Sequence, residues 1–418
     1  MSNHNETLEE IIWKHVLANA SRHKGKAEVG AVVSKVISER TDLIPQIKDL
    51  MPEISLVIKK VNGITLSEQM EMFKERFPEM HQEIFKRRVD IKELPVLSNA
   101  IKGEFVVRLP PEPSGYMHVG HAMAGLINSF YAQKYDGKVW LRFEDTNPRT
   151  VNREYYDSFK DGYQWLDIKW DFEKNVSDDL LKIYGYAEQI VSQGRAYVCK
   201  CKPDEIKNSR QSGLKCACRE NSEPENLDLW RMMLDNKFAE GEVVVRFKGD
   251  MTADDASLRD PNLFRIIDYP HPLKHDEFSV WPVYDFAVVV EDYLCKITHV
   301  LRSLEFHEGL QNVIREVLGF PSVTTVQFSR FNFAGTPVSK RLLRPLIDDD
   351  LVKGWDDPRM PTITGLARRG ILPDSIRQFT RDVGYTKTEH TFDWSLLNSI
   401  NRKLLDPTTK RYFFVSEP

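Results

Sequence analysis

No stretch of the chain approaches the ~20 consecutive apolar residues that a membrane span needs. The polar opening MSNHNETLEE also lacks the basic-then-apolar order of a secretory leader, so a soluble protein in the cytoplasm is expected, with no membrane partner. Cysteine is scarce and unevenly spread: of five residues in 418, four crowd between Cys199 and Cys218. An odd, clustered set is not a secreted disulfide framework and points to metal binding. Excess positive charge is missing as well. With 58 Lys and Arg against 62 Asp and Glu, the formal charge is −4, so the chain is no polycation that binds nucleic acid indiscriminately, and any RNA contact has to use local basic surfaces. Internal repeats and low-complexity tracts are absent.

What is present is length and apolar content, 418 residues at 41% hydrophobic, enough to bury a sizeable core in two to four domains. Residues 1–98 read as a helical extension: Ile11, Ile12, Val16 and Leu17, then Ile44, Ile47, Leu50 and Ile54, fall near helical spacing, and LPVLSNA looks like a linker. Such amphipathic helices serve equally as structural support or as a dock for a protein partner. The apolar run Glu104 to Leu109 is stopped by Pro110, Pro111 and Pro113 and reads as a strand and loop, followed by a helix from about His118 and a second strand, Lys138 to Phe143. Strand, helix, strand is the order of a parallel nucleotide-binding unit. The expected fold is therefore α/β, a Rossmann-like doubly wound parallel sheet in two halves, 99–198 and 276–345. An insertion over 199–275 carries the cysteines and a strand over Glu242 to Phe247. Further strands are expected at Phe286 to Val290, Ile297 to Leu301 and Thr325 to Phe328, with a helix from His307 to Leu318. A helical segment, 346–395, follows the second half. The sequence ends as a strand begins at Arg411.

Two segments carry chemistry. In Arg108-Leu-Pro-Pro-Glu-Pro-Ser-Gly-Tyr-Met-His-Val-Gly-His-Ala122, a helix opens near His118. Helix-start amides carry partial positive charge and suit a phosphate, Gly120 removes a Cβ that would block a planar base, and His118 and His121 share one face. In Ser329-Arg-Phe-Asn-Phe-Ala-Gly-Thr-Pro-Val-Ser-Lys-Arg341, a Gly-Thr-Pro loop presents Ser339 and Lys340, which could neutralise developing pyrophosphate charge. Neither a His-x-Gly-His run nor a basic triplet is specific alone; each gains meaning from its place after a strand.

PSGYMHVGHA resembles the HIGH motif of class I aminoacyl-tRNA synthetases and PVSKR their KMSKS motif, while LRFEDTNP and YDFAVVVEDYLCKITHVLRSLEF are similar to the glutamyl and glutaminyl branch. The helical extension resembles that of the archaeal and eukaryotic type. Val119 replaces the isoleucine of the first motif; Pro337, Val338 and Arg341 depart from the second, which keeps Ser339-Lys340. The resemblance implies ATP-dependent activation of an amino acid and its transfer to tRNA, with magnesium accompanying ATP. It implies that Glu112, Pro113 and Ser114, the helix start through His118, Val119, Gly120, His121, Ala122, Met123 and Ala124, Ser303, Arg330 and Phe331, and the loop Val338-Ser339-Lys340 border ATP. His118, His121 and Lys340 are then the catalytic groups, acting by positioning and electrostatic stabilisation.

A glutamate ligand presents one ammonium and two carboxylates, so its pocket needs an anion and at least one guanidinium in bidentate geometry. By the resemblance Glu144 receives the ammonium, Tyr284 lines the pocket, Arg108 lies beside the side chain, and Asp145 supports the loop. Arg302 stands where glutamyl enzymes resemble one another in having arginine and glutaminyl enzymes have a small neutral residue. L-glutamate and glutamate tRNA are the implied substrates; the alternatives are a glutaminyl enzyme or a non-catalytic tRNA-binding scaffold, the latter expected to lack the histidines or Lys340. Cys199-Lys-Cys201 and Cys216-Ala-Cys218 stand 14 residues apart, close enough for two knuckles to give four thiolates to structural zinc, although the usual pairs are separated by two residues and not one. By the resemblance the insertion approaches the tRNA acceptor end, residues 346–392, with Arg368 and Arg369, touch the inner stem, and residues 396–418 are the start of an anticodon-binding β-barrel.

Overall fold

The computed structural model describes residues 7–23, 25–85, 94–303, 307–338, 340–384 and 387–412, with the backbone alone at 22, 82–85 and 340. The chain divides into two compact units, Met1–Ile91 and Lys92–Pro418.

The first unit is helical: α1 Leu8–Arg22, α2 Val29–Glu39, α3 Ile47–Asn62, α4 Leu66–Arg76 and α5 Pro78–Phe85. Two helices begin at capping boxes. The hydroxyls of Thr7 and Thr65 accept from the amides of Glu10 and Glu68, whose carboxylates accept in return from the threonine amides. Ile11, Ile12, Val16, Leu17 and Ile54 enter the core as their spacing predicts. Ile44 does not, because residues 41–46 form a tighter 3-10 turn that rotates Leu43 inward and leaves Ile44 exposed.

In the second unit, β1 Val106–Leu109, α6 Val119–Lys134, β2 Lys138–Phe143, α7 Arg153–Trp165 and β3 Phe172–Asn175 build a parallel sheet in the order β1-β2-β3. Gly137 makes the turn into β2 possible, since a Cβ there would lie 2.4 Å from the Phe105 carbonyl. After α8 Leu180–Ser192 come β4 Ala196–Cys199, α9 Pro203–Ser212, α10 Glu223–Leu234, β5 Val244–Phe247, β6 Asn262–Ile266 and β7 Val280–Pro282, an antiparallel sheet in sequence order. The parallel chain path resumes with α11 Tyr284–Leu294, β8 His299–Ser303, α12 Glu308–Leu318 and β9 Thr324–Phe328. β8 pairs with β9 and lies beside β1, where the Thr298 amide donates to the Val106 carbonyl at 3.0 Å. The strand order across both halves is β9-β8-β1-β2-β3, the Rossmann-like arrangement the sequence implied. β10 Phe331–Phe333, α13 Lys340–Asp348, α14 Ile363–Arg368, α15 Pro373–Val383, β11 His390–Phe392 and α16 Trp394–Leu405 complete the unit.

Four expectations change. Phe286 to Val290 is the body of helix α11, not a strand; Val288, Val289 and Val290 are all fully buried, and an apolar run buried on every side has no period to read. The antiparallel sheet runs from Ala196 to Pro282, beyond the bounds 199–275, and shares one core with α8, α11 and α12. LPVLSNA is not a free linker: Leu97 is buried, its amide donates to the Tyr135 hydroxyl at 2.9 Å, and the Tyr131 hydroxyl donates to the Pro95 carbonyl at 3.1 Å. Residues 396–405 lie in α16, packed on α15, so no barrel strand occupies them; 413–418 lie outside the described residues.

Candidate functional site

The start of α6 is organised by its own histidines. His118 is the N-cap, and its Nδ1 accepts from the amides of Gly120 at 3.1 Å and His121 at 3.4 Å, while His121 Nδ1 accepts from the His118 amide at 3.4 Å. The rings stack at 3.7 Å between centroids. A Cβ on Gly120 would sit 3.0 Å from the His118 ring, so this glycine makes room for the folded-back imidazole. Burial holds His121 down to about 4 and His118 well below its ordinary value, the latter helped by the neighbouring ring. Both are neutral near pH 7. Because each Nδ1 accepts a backbone N–H, each proton sits on Nε2, giving two parallel donors.

The remaining helix-start amide is also engaged. Val119 N–H donates to the Pro361 carbonyl at 3.0 Å, and Ile363 N–H returns a bond to Met117 at 2.9 Å, an antiparallel bridge that locks the loop before α14 onto the histidine segment. Trp355, from that same loop, stacks on Tyr116 at 5.3 Å. The expectation that free amides hold the phosphate therefore fails: the amides of Val119, Gly120 and His121 already have partners, which leaves the Nε2–H groups and the helix dipole to face an anion.

A buried charge cluster links β1 and β2 to α11 and α12. Arg108 on β1 donates from Nε to Asp292 at 3.0 Å, Arg142 on β2 bridges Asp292 and Glu144 at 2.9 Å each, and Arg315 on α12 donates to Asp292 at 3.1 Å. Burial raises the Asp292 carboxyl, but three guanidiniums outweigh it and hold the group below its usual range. At Glu144 burial wins over Arg142 and Arg108 and pushes the carboxyl up, so an added cation would secure its charge. Both Nη atoms of Arg108 are buried without a hydrogen-bond partner among the described residues. An orphaned guanidinium fork costs free energy unless an anion fills it. The Tyr284 hydroxyl is pushed up to about 12 by burial, and Arg108, Glu144 and Arg302 all lie near enough to act on it. The four residues expected around glutamate are thus brought together.

Arg302, on β8, donates from Nη1 to Gln311 Oε1 at 2.6 Å; Gln311 Nε2 donates to Asp285 at 2.8 Å, and Asp285 meets His307 at 2.9 Å. Asp145 is fully buried, accepts from the Ser177 amide and hydroxyl and the Tyr156 hydroxyl, and has its carbonyl 2.9 Å from His271. Burial outweighs those hydrogen bonds and lifts its carboxyl to about 6. It fixes the turn that carries Glu144.

Of the other expected ATP neighbours, Pro113 and Ala122 are buried near the same helix start, as is Met123, with Ser114 and Ala124 half-buried and Glu112 exposed. Glu112 accepts from the Thr150 hydroxyl. Ser303 ends β8, Arg330 is exposed, Phe331 opens β10 within the core, and Val338 packs against that core. Ser339 lies outside the described residues; Lys340 opens α13.

The Sγ atoms of Cys199, Cys201, Cys216 and Cys218 all lie within 4.8 Å of one another. Tetrahedral zinc at ~2.3 Å from four sulfurs needs about 3.8 Å between them, and Cys199–Cys216 and Cys201–Cys218 each stand at 3.9 Å. A bulge at Val245/Arg246 accompanies an Arg246 side chain whose Nη1 donates to Cys199 at 3.9 Å and Cys216 at 3.7 Å, a cation suited to excess thiolate charge. The donor set fits the metal. Cys295 is buried apart from the cluster.

The sequence reading missed Asp292, Arg315, Gln311 and Asp285. Its one available signal was the pair Glu291-Asp292 directly after an apolar run, because carboxylates in such a place need buried cations.

The parallel sheet thus carries paired neutral imidazoles at the start of α6 and, on β1, a buried guanidinium fork suited to an anion. The family described as tRNA synthetases class I (E and Q), catalytic domain, matches residues 104–407, and the chain belongs to that family. It is 39% identical over 417 residues, 98% of this chain and 73% of the relative, to a glutamate–tRNA ligase of Pyrococcus furiosus. It is 40% identical over 413 residues, 98% and 72%, to that of Nitrosopumilus maritimus. A crystal structure of a glutamate tRNA ligase from Elizabethkingia meningosepticum in complex with its amino acid shares the fold, with a TM-score of 0.54 at 19% identity over 73% of this chain and 70% of that one. Among the described residues, no helix is long and apolar enough to cross a membrane.

Proposed function

We infer that the chain is a glutamate–tRNA ligase of the cytoplasm, joining L-glutamate to the 3′ end of glutamate tRNA with ATP, which carries magnesium. The observation that carries the amino-acid choice is the buried fork of Arg108, without a hydrogen-bond partner among the described residues, beside Glu144 and Tyr284. Glu144 takes the substrate ammonium, and Arg108 and Arg302 take carboxylates. The α-carboxylate oxygen attacks the α-phosphorus of ATP, the bond to the bridging oxygen breaks, and pyrophosphate leaves with its electron pair. The Nε2–H groups of His118 and His121 donate to the phosphates as charge moves onto them, and Lys340, at the start of α13, follows the leaving group. A ribose hydroxyl of the tRNA end then attacks the glutamyl carbonyl, losing its proton as AMP departs.

Glutamine, with an amide for the second carboxylate, leaves a buried guanidinium unmatched and is rejected. The four cysteines hold zinc that shapes the insertion approaching the acceptor end, and the segment after β10 touches the inner stem of the tRNA. ATP–pyrophosphate exchange with glutamate or glutamine, each with and without tRNA, tests the reading. Exchange with glutamate alone supports it. Exchange with glutamine alone overturns the substrate, and no exchange with either in the presence of tRNA overturns the enzyme.

A further inference from the structure

Arg302 reaches the pocket from β8 through a relay that nothing in the reaction itself requires. Gln311 is fully buried on α12, and its amide stands between a group that can only donate and one that, ionised, can only accept. Arg302 lies 2.6 Å from Oε1 and Asp285 lies 2.8 Å from Nε2. Only one orientation of the amide satisfies both neighbours, so Asp285 dictates that oxygen faces the guanidinium. Asp285 follows Tyr284 in the first turn of α11, so the element that lines the pocket also holds the relay. Arg302 feels burial first and the like charge of Arg108 second, with Tyr284, Asp292 and Glu308 opposing. Two guanidiniums in one pocket repel, and a neutral oxygen held on Arg302 offsets that repulsion without cancelling the charge the substrate needs. A carboxylate in place of Gln311 would neutralise it.

We propose that Gln311, oriented by Asp285, is a positioning residue that sets the Arg302 guanidinium and with it the preference for a side-chain carboxylate over an amide. The proposal rests on the reading of Arg302 as the group that faces the substrate side chain.

Gln311→Met, Asp285→Asn and Arg302→Met are compared with the parent in the full chain with tRNA present. The quantities read are kcat/KM for glutamate and for glutamine in pyrophosphate exchange, KM for ATP, and Tm. Gln311→Met lowers kcat/KM for glutamate about 30-fold, as expected for one lost hydrogen bond to a charged group. It leaves KM for ATP within about twofold and narrows the ratio of glutamate to glutamine. Asp285→Asn moves the ratio the same way by about tenfold, because the amide is then free to turn, and it carries the test if Gln311→Met does not fold. A ratio unchanged in the folded Gln311 and Asp285 variants while Arg302→Met lowers glutamate use overturns the relay alone. If Arg302→Met itself leaves glutamate use unchanged, the reading of Arg302 falls and the relay with it. A general loss of Tm with glutamate and ATP parameters falling together assigns the two residues to folding and overturns the proposal.

Discussion

Replacing Arg108 by lysine isolates the guanidinium fork. Lysine keeps a positive charge near Asp292, which Arg108 now meets through Nε at 3.0 Å, and two further guanidiniums, Arg142 and Arg315, still hold that carboxylate. What disappears is the pair of Nη groups that have no partner among the described residues. Two hydrogen bonds from a guanidinium to a carboxylate contribute about 1.5–3 kcal/mol each; with one recovered by the ammonium, the net loss is about 1.5–3 kcal/mol, or about 10- to 150-fold in kcat/KM for glutamate. The loss resides in KM, because the fork binds substrate and transition state alike. The assay is pyrophosphate exchange with tRNA in every arm, glutamate varied at saturating ATP, alongside KM for ATP and a thermal melt. A KM for glutamate within about threefold of the parent, in a variant whose Tm is unchanged, would mean that the fork does not face the substrate, and the assignment of this pocket would be wrong.

Three further outcomes follow from the same geometry. His121 is held down to about 4 by burial, so the unfolded chain binds its proton first as pH falls below 6.5. Folding stability therefore drops between pH 6.5 and 4 by up to on the order of 3 kcal/mol from this group; His121→Asn flattens the slope in denaturant titrations, and an equal slope contradicts the burial argument. Cys201→Ser lowers bound zinc below one per chain by elemental analysis and depresses Tm, whereas a parent free of zinc after purification without chelators refutes the metal site. Thr362→Val removes the hydroxyl that caps α14 through the Gly365 amide at 3.1 Å beside the bridge to Met117 and Val119. It raises KM for ATP about three- to tenfold, Thr362→Ser restores it, and a KM for ATP equal to the parent's in the valine variant rejects the coupling.

The site was legible where its chemistry is contiguous. His118, Gly120 and His121 sit within one turn, and Cys199, Cys201, Cys216 and Cys218 within twenty residues, so spacing alone suggested their partnership. It was illegible where partners are distant. Arg108 and Asp292 are 184 positions apart, and although the acidic pair after an apolar run signals buried cations, nothing local says which three arginines Asp292 aligns. Helix α11 escaped because its valines are buried on every face, which erases the amphipathic period. The engaged amides of α6 escaped for a related reason: their acceptors are a side chain folded back from His118 and a carbonyl at Pro361, and only tertiary structure brings the second within reach.

That last bridge also sets a timetable. During synthesis, Val119 leaves the ribosome 242 residues before Pro361, the partner of its amide. At about 5–20 residues per second, roughly 12–50 s pass in which the imidazole pair exists without the segment that fixes its backbone. The start of α6 is thus among the last parts of the catalytic unit to be finished, and a nascent chain carrying the whole histidine motif still lacks the peptide that fixes its backbone.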